Sequence, residues 1–141
     1  SFPEQWDVGG SQMHSSYLFI GAWFLEGVAG IAPAPGRAGM QRFVIRPMLD
    51  AEPKLDHAAV CYDSLYGRIG CAWTRKDRHV VLTVTVPPNS AAELELPPSL
   101  RARLTEGGGV ADKARGVKPA PGTAERLTLL LASGTYRFEV Q

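Results

Sequence analysis

Three residues near the start of the chain have the types and spacing that carbohydrate chemistry uses: Glu4, Trp6 and Asp7 within SFPEQWDVGG. An indole offers a flat apolar platform to the C–H face of a pyranose, and a neighbouring carboxylate takes up hydroxyl hydrogens or activates a water. His14 is the strongly titratable group on the first turns of SQMHSSYLFIGAWFLEGVAGI, and a helical wheel puts it in line with Tyr17, Leu18 and Gly21. The plainer alternative is a surface loop whose Trp6 tucks onto a helix that does nothing but pack. Acid–base hydrolysis of a glycosidic bond needs two carboxyl groups, one on each side of the bond that breaks.

The element that must position these residues is the stretch Ser11 to Ile31, which reads as the one long helix of the chain. Gly9 and Gly10 break what precedes it, Ser11 can cap its first turn, and Gly30 followed by Pro33 and Pro35 ends it. Met13, Tyr17, Leu18, Phe19, Ile20, Trp23, Phe24, Leu25 and Val28 surround the axis instead of forming one stripe. A helix apolar all round is buried on most sides, and a small sheet can cover only one of them. Self-association through this helix, most simply as a two-fold homodimer, is therefore expected of the chain alone. Gly21 and Gly27 cost helix propensity, so a close approach by another element is the expected reason for them.

After the helix, APAPGRAG reads as a Pro/Gly linker, and the hydrophobic period changes from helical to two. Met40 to Arg46 alternates as a strand; HAAVCYD, the turn SLYG, RIGCAWTR and HVVLTVTV follow as antiparallel sheet, with Val80, Leu82, Val84 and Val86 on one face. AAELELP, a weaker pair around Gly107 to Gly109, and the strands ERLTLLLA and TYRFEV joined by Ser133-Gly134 complete the pattern. Seven to nine short strands at this spacing predict a mainly β fold, an antiparallel β-sandwich of jelly-roll or Greek-key type from about Met40 to Gln141, preceded by one N-terminal helix. Arg42, Arg68, Arg75 and Arg137 fall on outward positions and read as a solvated face.

Composition narrows the partners. Fifteen basic and fourteen acidic residues leave a net charge of +1 without a basic run, which indicates neither nucleic acid nor an anionic membrane surface. No apolar run has the length of a membrane span or the flanks of a signal peptide, so a soluble chain, cytoplasmic in preference to secreted, is expected. Cys61 and Cys71 lack a CxxC or Cys/His cluster, so no metal site and no cofactor is expected. They flank the turn Ser64 to Gly67 on neighbouring strands, and reduced, buried thiols are the expected state, with a cross-strand disulfide as the alternative.

The spelling of the segments resembles the C-terminal end of bacterial α-L-rhamnosidases along essentially the whole chain. The resemblance is carried by Glu4-Gln5-Trp6-Asp7, by His14 and Trp23 followed by Val28-Ala29-Gly30-Ile31, and by Phe43 to Pro47. Tyr62 to Ser64 with Tyr66 to Ile69, Val86 to Asn89, and Ser133 to Tyr136 extend it. Met13 and Ala22 depart from the family's more usual asparagine and glutamate. The resemblance implies an (α/α)6 catalytic barrel whose last loop and helix are residues 1–35, and a C-terminal β-sandwich domain over residues 36–141. It also implies inverting release of terminal L-rhamnose, with Glu4 as the base that activates water, His14 contacting the sugar, and Trp6 and Asp7 lining the same pocket. The general acid would lie upstream of Ser1, so this chain alone is expected to be inactive. The alternative is a non-catalytic carbohydrate-binding or interaction module of the sandwich type.

Overall fold

The computed structural model describes residues 15–36, 39–49, 55–77, 79–121, 123 and 125–140. The chain enters as a helix, α1 (Ser15–Ala22), which widens into a π-helical turn over Trp23–Val28 closed by the Ala29 N–H on the Phe24 carbonyl at 3.1 Å. Gly27 explains part of that turn: a Cβ there would stand 3.0 Å from the Trp23 indole, so the close neighbour is the helix's own tryptophan and not another element. Gly21 has open space instead, which removes the expected close approach at that position. Gly30, with a φ of +70°, stops the helix where the sequence places its end.

Two sheets follow. The five-stranded sheet has the order β1 (Ile31–Pro33), β2 (Arg42–Ile45), β6 (Ala91–Leu96), β10 (Leu127–Leu131) and β9 (Val117–Pro119). The six-stranded sheet has the order β3 (His57–Ser64), β4 (Gly67–Lys76), β5 (His79–Val86), β11 (Gly134–Val140), β7 (Leu104–Glu106) and β8 (Gly109–Val110). Among the described residues all strand pairings are antiparallel except β2 with β6, which run parallel with Arg42 opposite Ala91 and Ile45 opposite Leu94. These eleven strands exceed the expected seven to nine because several have only two or three residues, too short for alternation to register.

Period-two alternation builds the core. Val80, Leu82, Val84 and Val86 of β5 are all buried, as are Ile69, Cys71 and Trp73 of β4 and Tyr136, Phe138 and Val140 of β11. They form one cluster with Phe43, Ile45, Leu94, Leu96, Leu129 and Leu131 of the other sheet. The sandwich starts earlier than expected: β1 pairs with β2, Ile31 opposite Ile45, so part of the stretch read as a linker is a strand. The Arg46 N–H donates to the Gly30 carbonyl at 2.9 Å and the Met48 N–H to the Val28 carbonyl at 3.1 Å, which stitches the helix end to the sandwich.

Several outward arginines have partners. Arg75 is half-buried and donates to the carbonyls of Leu49 and Leu55 at 3.0 and 2.8 Å, holding both ends of the segment between them, which corrects its reading as a solvated side chain. Arg68 pairs with Asp63 across the β3–β4 hairpin at 2.9 Å, and its hydrogen bond and charge hold the Asp63 carboxyl below its ordinary value. Arg137 pairs with Glu139. At the C-terminal strand the buried Tyr136 hydroxyl donates to the Ala132 carbonyl at 2.8 Å, so the Ser133 to Tyr136 motif is a structural anchor.

The two cysteines occupy neighbouring strands as expected, but Cys61 stands opposite Gly70 and Cys71 opposite Val60. That one-residue offset sends the thiols to opposite faces. Both are free; Cys71 is buried while Cys61 is exposed, which corrects the expectation of two buried thiols. Burial pushes the Cys71 thiol from its ordinary 9.0 up to about 12. Between those values the folded chain holds a proton that the unfolded chain releases, so the contribution is full below pH 9.0 and is lost as pH rises toward about 12. Stability is expected to fall by at most about 1.4 kcal/mol per pH unit from this group. Urea titrations from about pH 8 to about pH 10.5 check it, with Cys71→Val expected to flatten the slope.

Candidate functional site

Glu4, Trp6, Asp7 and His14 lie outside the described residues, so the part of the candidate site open to description is the helix that follows them and the sheet edge beside it. Phe19, Ile20, Trp23 and Phe24 are 72, 54, 53 and 51% exposed, while Leu25 is half-buried against the core and Val28 is buried. The helix thus spends one side on the sandwich and leaves these four large apolar residues open, as all-round hydrophobicity requires of a helix with one sheet for company. Trp23 and Phe24 meet edge to face with ring centroids 5.2 Å apart.

Between this aromatic pair and β3 lies a cavity of about 400 Å³ lined by Trp23, Phe24, Val28, Leu55, His57, Ala58, Ala59 and Val60. Its size falls within the ordinary range of small-molecule sites, and its lining is mostly apolar. At the rim, His57 Nδ1 lies 2.5 Å from Asp56 Oδ1, and that hydrogen bond, followed by the imidazole charge, holds the Asp56 carboxyl below its ordinary value. Both groups are exposed to water, and no carboxylate among the described residues lines the cavity itself. Proton transfer in a dry pocket is not what this pair is built for. Two clefts at the far end of the sandwich, of about 30 and 130 Å³, share Arg101 and Leu127 and are smaller than a sugar site. Among the described residues no cluster of His, Cys, Asp and Glu could hold a metal ion, and no helix is long and apolar enough to cross a membrane.

Periodicity points to the exposed helix but not to the cavity. The signal that does is the Trp23-Phe24 pair beside a strand of small residues, Ala58 and Ala59, and it becomes visible only once β3 is known to sit beside the helix.

The described residues define a class: a two-sheet β-sandwich domain carrying an open apolar helical face. Within that class the chain belongs to the bacterial alpha-L-rhamnosidase C-terminal domain family, which it matches over residues 30–111. An alpha-L-rhamnosidase of Streptomyces avermitilis is 33% identical over 148 residues, covering 97% of this chain and 13% of that protein. One of Formosa agariphila is 30% identical over 128 residues, covering 91% of this chain and 13% of that protein. The crystal structure of the Streptomyces avermitilis enzyme complexed with L-rhamnose superposes with a TM-score of 0.73 at 30% identity, over 91% of this chain and 11% of that one. The chain therefore spans about 13% of the length of these two relatives.

Proposed function

We propose that the chain acts as the C-terminal part of an α-L-rhamnosidase-like glycoside hydrolase, which releases terminal L-rhamnose from rhamnosides by inverting hydrolysis. The observation that carries this reading is the pairing of the family match with an exposed apolar helix: Phe19, Ile20, Trp23 and Phe24 form a face that requires a cover. In the proposed assembly that cover is the remainder of an (α/α)6 barrel. The residues ahead of β1 supply its last loop and helix, while the sandwich, β1 included, props the barrel from outside. Glu4 activates the attacking water, His14 contacts the sugar, and Trp6 and Asp7 line its pocket. The general acid comes from outside this chain. Where the barrel is absent, the same helix face pairs with a second copy.

The test is turnover of an aryl α-L-rhamnoside. The 141-residue chain is expected to show none, because in this reading the general acid lies outside it and such a group contributes about 10²- to 10⁴-fold on its own. In a full-length enzyme containing this chain, Glu4→Gln is expected to abolish turnover and leave rhamnose binding nearly intact. Unchanged turnover in that variant would move the base to Asp7 or elsewhere. The cavity beside Trp23 favours a second reading, a carbohydrate-binding module. Quenching of tryptophan fluorescence in the 141-residue chain by free L-rhamnose, abolished by Trp23→Ala, would select it over the first.

A further inference from the structure

Strand β3 is the outermost strand of the six-stranded sheet, and among the described residues β4 is its one strand neighbour. The Arg75 N–H donates to the Asp56 carbonyl at 2.6 Å, and the two-residue turn after Ser64 sets the same parity. Even-numbered residues of β3 therefore turn their backbone groups toward β4, and His57, Ala59, Cys61 and Asp63 present theirs to the outer edge, with which no described strand pairs. An edge of this length is normally blunted by proline, lysine or a bulge. HAAVCYDS has no proline and no lysine, and its register with β4 runs unbroken from His57 to Ser64.

We infer that two copies of this chain join along β3, antiparallel, about a two-fold axis through Val60. The inference takes up the self-association proposed above and gives it a register. With Val60 opposite Val60 of the second copy, His57 faces Asp63, Ala58 faces Tyr62 and Ala59 faces Cys61. Each of the outward residues His57, Ala59, Cys61 and Asp63 then exchanges N–H···O bonds with a partner of the same parity, so the open edge is satisfied along its length. At each end the His57 imidazole, held by Asp56 in its own chain, comes beside the Asp63 carboxylate of the other copy, which Arg68 holds. A two-fold axis normal to the sheet keeps both inner faces on one side. Tyr62, 37% exposed in the single chain, is thereby brought beside the Ala58 end of the second copy's cavity of about 400 Å³. The open helix residues Trp23 and Phe24 line that same cavity, so the two uncovered helices come to the same side of a continuous sheet.

Val60 and its symmetry mate form a non-hydrogen-bonded pair, with Cα atoms about 4.5 Å apart, a spacing that a disulfide spans. The experiment places Val60→Cys in the 141-residue chain with Cys61→Ser and Cys71→Val, the latter because Cys71 is the intrachain neighbour of residue 60. Mild oxidation with diamide is expected to give a covalent dimer, and light scattering on the unmodified chain to give twice 15.2 kDa. Cys61→Pro removes one outward N–H without touching a bond to β4, and is expected to raise the dissociation constant by about tenfold or more. Should the proline variant lose its fold by circular dichroism, the crosslink decides. A dimer that fails to crosslink at residue 60 and is abolished by Phe19→Glu with Trp23→Glu would overturn the β3 register while upholding helix self-association. A chain that stays monomeric at millimolar concentration would overturn both.

Discussion

Alanine at position 30 is expected to destabilise the domain by more than about 3 kcal/mol, which places it among the most damaging single changes available to this chain. Gly30 has a φ of +70°, and a Cβ on it would stand 1.8 Å from the Arg46 carbonyl oxygen. Neither backbone can retreat, because the Arg46 N–H donates to the Gly30 carbonyl at 2.9 Å and Ile31 is in register with Ile45 immediately beyond. Separating them opens the β1–β2 ladder and detaches the helix. Gly36 is the control: it shares the φ of +70°, but a Cβ added to it would meet nothing within 4 Å, so Gly36→Ala should cost about 1 to 2 kcal/mol, the conformational part alone. Urea unfolding of both variants separates collision from torsion. Equal losses would mean that the Arg46 strand gives way.

Trp73 carries the second large effect. It lies between Ala58 of β3 and Leu82 of β5 and is fully buried, so Trp73→Ala is expected to cost about 3 to 5 kcal/mol through lost contact and a cavity that the rigid strands cannot close. Its indole N–H, however, finds no hydrogen-bond partner among the described residues. Trp73→Phe removes that unsatisfied donor along with some of the contact, and the two changes offset each other to leave a loss under about 1.5 kcal/mol. Calorimetric unfolding of the pair checks the ratio. A phenylalanine as damaging as the alanine would show that the indole's shape matters more than its stranded proton.

The elements with a sustained period are legible in the sequence. Val80 to Val86 alternates without interruption and lies as written, and the helix that is apolar on every side does leave Phe19, Ile20, Trp23 and Phe24 uncovered. What escapes such a reading has a physical reason in each case. β1 is three residues ending in proline, and it is a strand because Gly30 turns the chain back onto β2, a tertiary cause with no local period. Leu127–Leu131 and Gly134–Val140 are adjacent in sequence, yet they enter different sheets, and alternation says which face a residue takes but not which sheet. The cysteines fall on the strands expected, but their one-residue offset depends on the closing pair of the hairpin, Ser64 opposite Gly67. Glu4, Trp6, Asp7 and His14 fall outside the described residues, and their roles rest on the family resemblance alone.

The place of β11 governs how the domain can be made. It is inserted between β5 and β7, with Phe138 opposite both Leu82 and Glu106, and until it arrives the six-stranded sheet exists only as the meander β3-β4-β5 and the stub β7-β8. A ribosome delivering this domain has finished nearly all of it before the strand that joins those pieces emerges, so the earlier strands wait with a row of unpaired backbone groups on β5. Translation rate across residues 87–133, and any chaperone that shields β5 during it, are then expected to set the yield of folded protein as strongly as its equilibrium stability does.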